Sequence, residues 1–364
     1  MSLNTLSSGV LKCCDHSSDM GQNFWQQWQQ YQDYLYRCCV KWMGGNSTDA
    51  EDALSQAMLK AWEKVQKYAT GEITNFKAWL TTLTHNLCVD LLCDQEILVR
   101  AFARLTSRYA QLEHRGAQIF IGDLTEKRDI EKACQGIQYI ISTHSNPNDP
   151  LGVDYRSNID LIDAAKANNV QHFVFISVLG TDRGYQDSPI FKAKREVEKY
   201  LESSGLNYTI LRPSALASSL LPLAERFKQT GLYLLIGDAK NRTSVVSTDD
   251  IARIAIDSVF IEAANQKIIP VGGPEILARE DIYQIFSRVF NREAIVINLP
   301  LFLFDGLRGS LGLINSDLYQ KLGTLRVLLG NEFFCTAEEI QNLEQLFSIK
   351  MESLESYIRR YLSS

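Results

Sequence analysis

From Leu98 to about Pro300 the chain alternates short apolar runs with amphipathic stretches, and this alternation limits its fold more than any other feature. The runs LVRAFAR (98–104), AQIFI (117–121), IQYIIST (137–143), HFVFISV (172–178) and NYTILRP (207–213) place apolar side chains on both faces of an extended backbone. Strands of that kind must be covered on two sides. Helix-patterned stretches such as EKRDIEKACQG (126–136) and FKAKREVEKYLESSG (191–205) separate them. Parallel strands require crossovers of this length, so the pattern predicts an α/β unit built on a parallel sheet. Beyond Pro300 the pattern returns to helices, with Thr336 placed to cap the stretch TAEEIQNLEQLFSI.

The front of the chain reads differently. Residues 1–22 are polar, Ser-rich and aperiodic, and are expected to form a disordered leader. Between Asn23 and Leu92 the periodicity is helical throughout. Phe24, Trp28, Tyr31, Leu35, Cys39 and Trp42 recur at helical spacing, and GGNS stops that helix. Leu54, Met58, Ala61, Trp62 and Val65 mark a second apolar face, and Phe76, Trp79, Leu80, Leu83, Leu87 and Leu91 a third. A three-helix bundle over 23–93 is predicted.

Composition narrows the function classes. The net charge of −6 carries no basic tail, so the chain as a whole is not a nucleic-acid surface. No apolar run reaches the length of a membrane span, and a cytoplasmic protein is expected. The 8 cysteines lack zinc-ligand spacing; they are expected as free thiols, with no metal site.

The stretch DAEDALSQAMLKAWEKVQKY, followed by NFKAWLTTLTHNLCVDLL, resembles the second conserved region of bacterial sigma factors of the small extracytoplasmic-function type. The resemblance implies that Asp49, Glu51, Asp52 and Gln56 face RNA polymerase core. It further implies that Lys77, Trp79, Asn86 and the loop Tyr68–Thr74 face the unpaired −10 promoter strand. Exposed aromatics can stack a flipped base, and basic side chains can follow phosphates. Asn23–Cys93 nevertheless holds six Lys and Arg against seven Asp and Glu, a poor balance for holding DNA alone. No helix-turn-helix for a −35 element follows, so the match is to a sigma-like fragment.

A second resemblance covers 96–300, with 301–364 as its C-terminal helical part. RGAQIFIGDLTEKRDIEKACQGIQYIIST, NIDLIDAAKANNVQHFVFIS, KREVEKYLESSGLNYTILRP and VSTDDIARIAIDSV are similar, in that order, to the NmrA-like branch of atypical short-chain dehydrogenases. That branch implies a Rossmann-like parallel sheet and NADP or NAD as cofactor. By the resemblance Arg104 meets the 2′-phosphate, Asp123 and Leu124 take the adenine, and Ser142, Thr143 and His144 line the carboxyl edge. Lys194 holds the nicotinamide ribose and Ser177 lies beside it, the pair being the candidate catalytic residues. The family's members include cofactor-sensing regulators with protein partners as well as reductases.

Two features depart from the branch. Short-chain dehydrogenases place a tyrosine four residues before the lysine, where the amine lowers its pKa, but Ile190 stands there and Tyr185 lies further back in a loop. The family's first strand and Gly-rich turn should precede Glu96, yet no glycine occurs between Gly71 and Gly116. Those glycines let a backbone approach pyrophosphate at a helix N-terminus. The sheet is therefore expected to lack its first, central strand. Its neighbours should pair directly, or leave a gap covered by the helix at 76–92, and the pyrophosphate half of the pocket should be lost. The reading is a cofactor sensor or weak oxidoreductase, with a sigma-like transcription role as the alternative.

Overall fold

The computed structural model describes residues 16–43, 47–67, 80, 83–84, 98–104, 109–185, 187–314 and 316–362. The chain divides into two units, Met1–Ile97 and Leu98–Ser364.

In the first unit, α1 (His16–Trp42) packs on α2 (Ser47–Lys67). Helix α1 begins at His16, inside the segment expected to be a leader, which corrects that boundary; residues 1–15 lie outside the described ones. The helices meet through Ala50, Ala53, Ala57 and Ala61 on α2, each fully buried, against Phe24, Trp28, Leu35 and Cys39 on α1. Small residues at a crossing let two backbones approach closely. Leu80 and Leu83 join this core as the third apolar stripe requires. The rest of that predicted helix, including Lys77, Trp79 and Asn86, lies outside the described residues.

The second unit contains the expected α/β layers. Its sheet strands are β1 (Arg100–Ala103), β2 (Gln118–Ile121), β3 (Tyr139–Ser142), β4 (His172–Ile176) and β5 (Tyr208–Pro213). The crossovers are α3 (Ala110–His114), α4 (Lys127–Ala133), α5 (Ser157–Ala167) and α6 (Pro189–Glu202). After β5 come α7 (Leu221–Thr230), β6 (Leu232–Ile236), α8 (Thr248–Phe260), β7 (Lys267–Val271), α9 (Arg279–Phe290) and β8 (Ile295–Leu299). Four helices close the chain: α10 (Leu301–Ile314), α11 (Ser316–Gly330), α12 (Ala337–Phe347) and α13 (Leu354–Leu362). The stretch GVDYR winds as a π-helical segment, Pro150–Arg156, before α5, and α7 starts at Leu221 after a short strand and a 3-10 turn. Thr336 caps α12 reciprocally with Glu339.

Every pairing among these strands is parallel, but the sheet is broken. β1 pairs only with β2, while β3, β4, β5 and β7 form a separate sheet in the order β7-β5-β4-β3. Among the described residues no strand stands between β1 and β3, and the two do not pair with each other. Of the two arrangements expected for a missing first strand, the gap is the one found. A helix at 76–92 covering it falls outside the described residues.

The intact piece is covered on both faces, as its sequence demands. Phe173, Phe175 and Ile210 face α5 and α6 through Ile162, Val197 and Leu201. Val174 and Leu211 face α8 and α12 through Ile254, Leu343 and Phe347. The broken side is poorly covered: Ile121 and Ile141 are 42% and 39% exposed, positions that a complete central sheet would bury. What holds β1–β2 in place is helix packing. Ile130 and Cys134 of the α4 region pack on Ala164 and Leu161 of α5 and on Ile140 of β3. Arg100 adds a clamp, donating from Nη1 to the carbonyls of Ala133 and Gln135 at 2.8 Å each.

Candidate functional site

The site residues fall into two groups, one on each side of the gap. On the β1–β2 side, Arg104 follows β1 and Asp123 follows β2, both at the carboxyl edge. Asp123 Oδ1 accepts from the Thr125 amide (2.8 Å) and hydroxyl (2.7 Å), a self-contained turn. Those bonds, with the Arg104 charge adding to them, hold its carboxyl below the usual range. Leu124 packs into the small core beside Ile130. Arg104 and Asp123 are thus brought close enough for their charges to interact.

On the other side, the carboxyl edge of β3 is a dense polar cluster. Ser142, 3% exposed, donates to Asn158 Oδ1 at 2.6 Å and lies 3.3 Å from His144 Nδ1. His144 Nε2 meets Ser157 Oγ at 2.8 Å, while Asp154 accepts from Ser145 (2.5 Å) and from the Asn146 amide (2.9 Å). Burial pushes the His144 imidazole down to about 4, and the neighbouring Lys194 charge adds to the shift. His144 is therefore neutral at pH 7. Thr143 is exposed to solvent.

The candidate catalytic pair is turned inward. Lys194 is 7% exposed; its Nζ donates to the Ile176 carbonyl at 2.9 Å and sits 5.1 Å from the centre of the Phe175 ring. Burial lowers its pKa, with Asp154 and Glu198 opposing. Ser177 is 4% exposed and donates to Glu198 Oε1 at 2.5 Å. Glu198 is fully buried and also accepts from Thr181, from Arg212 Nε (2.9 Å) and Nη2 (2.7 Å), and from Arg195 (3.0 Å). The sequence reading missed this network. Its local trace is the spacing of Arg195 and Glu198, three residues apart on α6. Tyr185 is not near Lys194 chemistry either: its ring packs edge-on against Phe191 at 5.2 Å and beside Phe333.

In the first unit, Glu51, Asp52 and Gln56 are exposed along one side of α2, with Asp49 half-buried in its first turn. Among the described residues no cluster of three or more His, Cys, Asp or Glu could hold a metal, and no helix is long and apolar enough to cross a membrane.

A parallel sheet with carboxyl-edge polar groups, covered by helices on two faces, makes the second unit a Rossmann-like α/β fold. Residues 84–261 match the family model described as NAD(P)H-binding, and residues 28–97 match that of sigma-70 region 2. The two matches share residues 84–97. The chain is 29% identical over 282 residues to the photosystem II assembly factor Ycf39 of Cyanophora paradoxa, covering 74% of this chain and 86% of that protein. It is 27% identical over 216 residues to the NAD(P)H azoreductase of Xenophilus azovorans, covering 58% and 72%. Among solved structures, an NADPH-dependent quinone oxidoreductase of Escherichia coli complexed with NADPH superposes with a TM-score of 0.58. That match covers 75% of this chain and 94% of that one at 18% identity, a likeness of fold.

Proposed function

We propose that the second unit holds NADP(H) chiefly by its adenosine end and responds to the cofactor without turning it over efficiently. The carrying observation is the inward turn of Lys194 and Ser177, whose polar atoms bond the Ile176 carbonyl and Glu198. Ile190 occupies the position of the family's phenol, and the gap between β1 and β3 stands where the phosphate-binding turn would begin. A hydride transfer that needs a proton has no exposed donor in this set. The likeness to proteins named photosystem II assembly factors favours a cofactor-responsive scaffold acting on protein partners.

Losing two backbone donors to a pyrophosphate, each worth about 1.5–3 kcal/mol, weakens dinucleotide binding by roughly a thousandfold against an intact site. The adenosine fragment should suffer little. Titration of the full chain with NADPH and with adenosine 2′-phosphate, read by calorimetry, is expected to give dissociation constants within about tenfold of each other. Arg104→Ala should abolish both. Tight NADPH binding with a fragment thousands of times weaker would overturn the proposal, as would no binding of either.

The exposure of Glu51, Asp52 and Gln56 on α2 favours a second reading. In it the first unit docks on RNA polymerase core and approaches −10 promoter DNA through Lys77, Trp79 and Asn86. Co-elution with core polymerase at low salt, lost in a Glu51→Lys/Asp52→Lys variant, is the expected result; failure of the parent chain to co-elute ends this reading.

A further inference from the structure

A second site lies away from the residues assigned to the cofactor. A cavity of about 610 Å³ opens between the loop at Tyr185 and helices α10 and α11, lined among others by Arg308, Tyr319, Arg326 and Val327. Its size is that of a small-molecule pocket. Gly323 fixes one wall: a Cβ there would lie 1.9 Å from the Asp187 carbonyl oxygen, so only glycine lets the loop approach α11.

The wall carries two arginines and two aspartates, Arg308 and Arg326 with Asp187 and Asp305, but the two pairs differ in burial. The Arg308 side chain is 6% exposed, donates from Nε to the Tyr319 carbonyl at 3.1 Å, and stacks its guanidinium 3.9 Å from the Tyr319 ring centre. Its carboxylate partner, Asp187, is 3.5 Å away and 62% exposed, so the countercharge sits in solvent while the cation does not. Arg308 Nη2 makes no hydrogen bond among the described residues. Arg326, by contrast, is closed by Asp305 at 2.5 Å. Keeping a guanidinium buried with a solvated partner is costly, and the arrangement is relieved by an anion that reaches Nη2, since Nε and Nη1 already donate. A carboxylate can accept from Nη2 through a single oxygen. The hydroxyl of Tyr185, likewise without a partner among the described residues, and the Tyr185 and Tyr319 rings offer an aromatic, partly polar frame for the ligand's body.

We infer that this cavity binds a small planar aromatic carboxylate, with Arg308 on the carboxylate and Tyr185 and Tyr319 along the ring. The site is independent of the cofactor proposal, since Arg104, Asp123 and Lys194 take no part in it. The test uses the full chain without cofactor and three probes: 2-naphthoate, the neutral 2-naphthylmethanol, and inorganic phosphate. Saturable naphthoate binding at least tenfold tighter than that of the alcohol is expected by fluorescence titration. Arg308→Lys should weaken it about tenfold. Gly309→Trp, placed at the lining where an added Cβ meets nothing within 4 Å, should block the cavity without disturbing the fold. Equal binding of acid and alcohol, naphthoate binding that survives Gly309→Trp, or phosphate binding as tightly as naphthoate would each overturn the inference. Because NADPH is absent throughout, failure here leaves the cofactor proposal standing, and the reverse also holds.

Discussion

Replacing Glu198 by leucine tests whether the buried network organises the second unit. The carboxylate is fully buried and accepts from Ser177, Thr181, Arg195 and Arg212. Without it Arg212, 8% exposed, keeps only the Asp182 bond at 2.8 Å, and Asp182 is itself 56% exposed. Deleting one partner of a buried ion pair costs about 3–5 kcal/mol. The surviving Asp182 contact argues for the lower end, about 3 kcal/mol. At about 2–4 °C per kcal/mol for a domain of this size, the melting transition should fall by about 10 °C. Scanning calorimetry of the full chain, following the transition of the second unit, reads this directly. The decisive variant is Glu198→Leu with Arg212→Met. It removes the stranded cation, leaves the Ser177 and Thr181 hydroxyls unpaired at about 1 kcal/mol each, and should regain part of the loss. A single variant that costs less than about 1 kcal/mol, or a double variant worse than the sum of the singles, would refute the reasoning.

Acid should destabilise the second unit through two histidines. Burial holds both His144 and His172 at about 4 in the folded state, against an ordinary 6.5. The unfolded chain therefore takes up protons first as pH falls, so their contribution is intact above about 6.5 and is lost between there and about 4. Denaturant melts at pH 7 and pH 4.5 should differ by a few kcal/mol, less so in His144→Gln/His172→Gln; a pH-independent melt in the parent chain contradicts the assignment. Hydrogen exchange checks the broken sheet: amides of β1 and β3 that face the gap should exchange far faster than those of β4, which is paired on both sides. Uniform protection across β1, β3 and β4 would mean that the gap is filled in solution.

Much of this architecture was legible in the sequence because its signals are local. Short apolar runs separated by helix-patterned stretches located β1 to β5, and the interval without glycine between Gly71 and Gly116 announced the missing turn. Thr336 and Glu339 gave a cap from side-chain chemistry alone. What escaped depends on contacts between distant segments. β6 and β8 pair between residues 63 positions apart, in register Leu232↔Ile295, which no window of sequence contains. Ser177 looked catalytic by its place at a strand end, but the side chain that claims it, Glu198, and the cation that balances the pair, Arg212, come from two further elements. Arg308 drew no notice, since its burial is decided by α11 and by a loop more than a hundred residues earlier.

The gap also changes what sets the spacing of the two half-sites. In an unbroken sheet the backbone ladder is a ruler: the distance between the Arg104–Asp123 end and the His144–Lys194 end is counted in strands. Here that ruler is cut, and the span is measured by side chains, by Ile130 and Cys134 lying against Leu161, Ala164 and Ile140. Side-chain packing has play where a hydrogen-bond ladder has none. The alignment of the two ends across the cut therefore depends on how tightly that handful of residues is packed.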